Sequence, residues 1–162
     1  MSLNETLQFS GVSAEVKAAF LGVPDKIWFK PSTKLYKYSS YPLIGPNGRI
    51  TPWWTLVEKV KLPSGRVAEG LRGSTDAAYR LNISLPEYEK YRAAVSEKFG
   101  NTLDEFLLIA LKDGAWGFAG PASGQVAFKD PALSNVYLIG GKIQVWIPNL
   151  QQAHVLKLDA LG

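Results

Sequence analysis

After Lys112 the chain breaks into five short β-prone runs: Trp116–Phe118, Gln125–Phe128, Asn135–Ile139, Ile143–Ile147 and Val155–Leu158. Glycine, proline and asparagine separate them, and connections this short lay successive strands side by side in an antiparallel set. A sheet of that kind needs helices to cover it, and the upstream sequence supplies them. Ser13 precedes an apolar stretch of helical spacing over 14–21 that Gly22 ends. Ser84-Leu85-Pro86-Glu87 is a capping box, and its helix is expected to reach about Phe99, with Tyr88, Tyr91, Val95 and Phe99 along one side. A second box, Thr102-Leu103-Asp104-Glu105, predicts a helix ending near Leu111. Ile27–Phe29 and Leu35–Ser39 are aromatic-rich and read as strands. The loop Tyr41–Gly48 (YPLIGPNG) leads to Thr51-Pro52, where a threonine cap followed by proline predicts a short helix over Trp53–Val60. Pro63-Ser64-Gly65 is a turn. The expectation is one α+β domain over residues 1–162, mostly antiparallel sheet, with N-terminal and central helices and strands dominating the last third.

Residue types narrow the chemistry. With no cysteine and one histidine among 162 residues, thiolate nucleophiles, disulfides, zinc–thiolate sites and multi-histidine metal centres are excluded, so no metal is expected. There is no phosphate-binding loop ending in Gly-Lys-Ser/Thr, no GxGxxG after a strand and no GxSxG nucleophile elbow. His154 reads as a half-buried strand residue rather than a catalytic one. Glu87 and Glu105 are accounted for as caps, and Asp104 suits the positive end of a helix. The net charge of +4 is weak for a nucleic-acid binder. Met1–Lys30 lacks the basic start and apolar core of a signal peptide, and no stretch approaches the ~18 apolar residues of a membrane span. A soluble protein is expected, cytoplasmic or exported by a signal-independent route.

Three segments remain as carriers of chemistry. In Leu35-Tyr36-Lys37-Tyr38-Ser39-Ser40, strand alternation places Leu35, Lys37 and Ser39 on one face and Tyr36, Tyr38 and Ser40 on the other. Lys37 there is either a solvent-facing lysine on an edge strand or a cation holding a phosphate at a pocket rim. In Gly48-Arg49-Ile50-Thr51-Pro52-Trp53-Trp54, the two indoles diverge, so one can enter the core and the other line a cleft. In Leu138–Asn149, a Gly140-Gly141 pair precedes Gln144, whose carboxamide sits among Ile143, Val145 and Trp146. It must face solvent or find partners.

Taken in order, these segments resemble the ADP-ribosyltransferase-like fold, including bacterial toxin NAD glycohydrolases. That family carries Arg or His on an early strand within a Leu-Tyr-Arg-Tyr-like motif, then a polar and aromatic segment, then a late strand presenting Glu or Gln soon after paired glycines. The resemblance, over Lys34–Asn149, implies a split antiparallel sheet and NAD as substrate. It also implies catalytic roles for Gln144 and Lys37. Ser39, Thr51, Trp53 and Trp54 would build the pocket, with Arg49 or Arg72 beside the diphosphate. Gln144 would bind a ribose hydroxyl, a tryptophan would stack on nicotinamide and Lys37 would hold the diphosphate. This chain has lysine where Arg or His is usual, Thr-Pro-Trp-Trp in place of Ser-Thr-Ser, and Lys142 where arginine-directed transferases carry a glutamate. The last departure disfavours arginine-directed transfer and leaves hydrolysis, or transfer to another acceptor such as a protein.

Two further readings stand beside it. One is a non-catalytic binding or assembly domain whose aromatics contact protein or carbohydrate. The other is a single-stranded nucleic-acid binder, which would show steep salt dependence.

Overall fold

Ser13 opens the first helix as its side chain predicts. Its hydroxyl accepts from the Val16 amide at 3.3 Å, and α1 spans Ala14–Ala19. The computed structural model describes residues 1–39, 42–92, 105–123, 125–126, 137–138 and 141–159. After α1 come β1 (Asp25–Phe29), β2 (Lys34–Ser39), β3 (Trp53–Leu56), β4 (Val60–Lys61), β5 (Val67–Ala68), α2 (Gly70–Arg80) and α3 (Leu85–Arg92). They are followed by β6 (Glu105–Leu111), β7 (Ala115–Pro121), β8 (Gln125–Val126), β9 (Tyr137–Leu138), β10 (Ile143–Trp146) and β11 (Val155–Lys157).

Seven strands form one curled, wholly antiparallel sheet in the order β1-β7-β10-β3-β2-β6-β11. The β4–β5 and β8–β9 pairs make two small ribbons. The expected turn joins β4 to β5, where Gly65 takes φ +94°. The α+β expectation therefore holds. Ser84 caps α3 by accepting from the Glu87 amide at 3.3 Å. Val95 and Phe99 of the expected helix, and the Thr102–Asp104 part of the second box, lie outside the described residues.

Two expected helices are strands. The Trp53–Val60 segment gives β3, because its aromatic and β-branched residues pair with β10 on one side and β2 on the other. Pro52 stands just before that strand, where its missing amide hydrogen costs nothing and its carbonyl accepts from Ile147 N at 2.9 Å. The segment ending at Leu111 gives β6, between β2 and β11, with Glu105 at its start rather than in a helix cap. Its run Leu107–Leu111 is buried throughout, and an unbroken apolar run of this length has no periodicity with which to separate buried strand from buried helix. Helix α2, in a segment rich in glycine and polar residues, had no counterpart among the expected elements.

Strand alternation assigns each side chain to one of two faces. The inner face carries Leu35, Leu56, Ile109, Ala119 and Val145 into the main core, together with Trp54 and Ile147. Each leucine, isoleucine or valine among them contributes about 1.5–3 kcal/mol on burial. The outer face is covered in two places. The N-terminal segment and α1 lay Phe9, Val16 and Phe20 over Phe118, Trp146 and Trp53. Leu71 of α2 and Leu85 at the start of α3 cover Tyr36 and Leu108.

Candidate functional site

The three segments singled out in the sequence become three neighbouring strands, β10, β3 and β2, at the centre of the sheet. The β2–β3 ladder is short: Leu35 opposes Leu56 and Tyr36 opposes Thr55. On the other side Val145 opposes Trp54 and Trp146 opposes Trp53. Paired residues share a face, so Lys37 lies on the inner face with Trp54, and Gln144 lies on the outer face with Trp53 and Trp146.

Lys37 is on an interior strand, opposite Leu107, not on an edge. Its ammonium donates to Thr51 Oγ1 at 3.1 Å and sits 5.7 Å from the Trp54 ring centroid. Removal from water is the cause that pulls its pKa from 10.5 down to about 8. Thr51 is held from a second direction, since its carbonyl accepts from Trp54 Nε1 at 2.6 Å. Ser39 is buried near the same end of β2, opposite Glu105. Trp54 is only 2% exposed; it is a core residue with no face left for a ligand.

Gln144 is half-buried, and its Nε2 donates to the Ala19 carbonyl at 2.7 Å. Among the described residues its Oε1 has no protein donor. Trp53 is half-buried on the same face, its ring 5.4 Å from Phe20 and 6.1 Å from Trp146. Arg49, between β2 and β3, and Arg72, in the first turn of α2, are exposed. The structure thus gathers Lys37, Thr51 and Trp54 on one side of the sheet and Gln144 with Trp53 on the other. The ammonium and the carboxamide do not meet in one hollow, because an odd step along the ladder separates them.

The sequence reading missed a polar cluster beside Gln144. Lys142, two residues earlier on the same strand line, reaches across the outer face. Its ammonium donates to Tyr36 Oη at 2.7 Å and to both carboxylate oxygens of Glu89 on α3. Tyr36 Oη in turn donates to Glu89 Oε1 at 2.7 Å and lies 3.5 Å from Ser74 Oγ on α2. Tyr88 Oη and Ser74 Oγ donate to Glu69 Oε1 at 3.0 and 3.3 Å. Tyr36, Ser74, Glu89 and Lys142 are each at most 4% exposed. Burial, and then the Glu89 charge, push the Tyr36 hydroxyl well above the usual phenol range, so it stays a donor. The one local signal was a lysine placed inside an otherwise apolar strand start.

His154 ends a 3-10 turn before β11, with Nδ1 accepting from the Gln151 amide at 2.8 Å. A shallow depression lined in part by Leu3, Asp113, Gly114 and His154 includes none of the candidate residues. Among the described residues no three His, Asp or Glu side chains are grouped to hold a metal. Nor is any helix among them long and apolar enough to cross a membrane. Compared with known proteins, the chain matches no family model, no curated protein and no solved structure.

Proposed function

We propose that this chain is a NAD-using enzyme of ADP-ribosyltransferase type that cleaves the bond between nicotinamide and ribose, passing the ADP-ribosyl group to water or to an acceptor. The observation that carries the reading is the adjacency of β3 and β10: Trp53 and Gln144, from segments far apart in the polypeptide, lie on one face at the sheet centre. On this reading the roles divide by face. Gln144 faces the outer side with Oε1 open, suited to accept from a ribose hydroxyl, and Trp53 beside it offers the aromatic edge. Lys37 acts from the inner side as a positioning residue that braces Thr51 at the entry to β3. Arg49 and Arg72 are exposed cations that would meet a diphosphate.

Cleavage of this bond develops positive charge on the sugar, so catalysis consists of orienting the ribose and favouring that charge. A carboxamide takes no proton at neutral pH, so Gln144 works by position and dipole, not as a base. The test is thermal unfolding with and without NAD, since a ligand of the native state alone must raise the melting temperature, paired with an assay of nicotinamide release. The wild type should show both, and Gln144→Ala should lose release while keeping its fold. No shift and no release in the wild type would end the reading.

A second reading has its own observation. Trp28, 37% exposed, stands 5.7 Å from Trp116 on the outer side of the β1–β7 edge, with Lys26 5.3 Å from the Trp116 ring. An open aromatic pair of this kind suits a binding module that contacts carbohydrate or protein.

A further inference from the structure

We propose that the Glu89–Lys142–Tyr36 cluster is the positioning device that sets the direction of Gln144; its consequence for catalysis rests on the reading above, whereas its effect on the side chain does not. Lys142 and Gln144 share a strand line and a face, so any rotation of β10 that re-aims the carboxamide must also withdraw the Lys142 ammonium from Glu89. That withdrawal leaves a carboxylate buried without its partner, which the interior penalises heavily. The clamp has wide reach. In the sheet β3 separates β10 from β2, yet Lys142 bonds Tyr36 of β2 and Glu89 of α3 at once. The backbone around it is tied as well: Gly141 N donates to Ala122 O, and Ala122 N to Lys142 O, both at 2.8 Å. Gln144 is therefore held between this clamp and the Ala19 carbonyl that its own amide reaches.

A merely structural pair would contribute to stability alone. A positioning pair must change the surroundings of one particular amide. The measurement is hydrogen exchange of the Gln144 side-chain NH2, assigned by its loss in Gln144→Ala. Because Lys142→Met alone strands a buried charge, the informative variant is Glu89→Gln combined with Lys142→Met, with Tyr36→Phe as a milder second. In the folded double variant the Gln144 amide should exchange faster by about tenfold or more as it leaves Ala19, and kcat for nicotinamide release should fall by about tenfold or more with little change in KM. An amide as protected in both variants as in the wild type would overturn the proposal. Faster exchange in a protein that releases no nicotinamide would uphold the clamp while removing the enzymatic reading.

Discussion

Lys37 makes the fold's pH dependence calculable. In the unfolded chain its ammonium titrates near 10.5, and in the native protein near 8. Between those values the unfolded state binds the extra proton, so raising the pH favours the folded state. Below the native value the whole penalty for burying the charge is present, about 3 kcal/mol for a shift of this size. From about pH 7 to about pH 9.5, roughly 2 kcal/mol of it is recovered. The ceiling is set by Tyr36 and Tyr38, whose hydroxyls are pushed above their usual value of 10.0. Above that pH the unfolded chain loses phenol protons that the native state keeps, and stability falls again. Urea unfolding across this window, for wild type and for Lys37→Met, isolates the lysine because every other titration is common to both. The wild-type free energy should rise by about 2 kcal/mol relative to the methionine variant, with equal m-values. Parallel curves would refute the argument and show that the half-buried ammonium keeps its water, and so its ordinary affinity for protons, in the native state.

Other substitutions test the packing. A Cβ on Gly117 would stand 2.7 Å from the Trp146 carbonyl oxygen and 2.9 Å from Ile147 Cγ1, so Gly117→Ala should cost about 1–3 kcal/mol in denaturant unfolding. Gly11→Ala, with open space around the added carbon, should stay within about 0.5 kcal/mol of wild type. Ser13→Ala removes the cap of α1 and should cost roughly 0.5–1 kcal/mol at this exposed helix start.

Local chemistry made much of this legible. The Ser13 and Ser84 caps, the turn at Pro63–Gly65 and the strands around Tyr36 and Gln144 all follow from side chains a few residues apart. The division of Tyr36 from Lys37 follows from alternation alone. What escaped was long-range. Thr51-Pro52 is a sound helix start, but pairing with β2 and β10 overrides it. Lys37 reads as an edge residue because nothing local announces that β3 and β6 flank it. The same two-residue period that makes Trp53 and Trp54 diverge sends Lys37 and Gln144 to opposite faces, a consequence invisible until the register is known. Lys142 is the hardest case, since its partner carboxylate lies on α3, 53 residues upstream, and only the fold brings them together.

The strand order has a consequence for how the molecule comes into being. Asp25 finds its neighbour at Ala119, and Trp54 finds its partner on β10 at Val145. Early strands therefore wait, edges bare, for segments far downstream, and little of the ladder can form from contacts close in the chain. Topologies of this kind fold slowly, in roughly milliseconds to seconds, and a nascent chain halted before β10 emerges would present hydrogen-bonding edges to any other chain within reach.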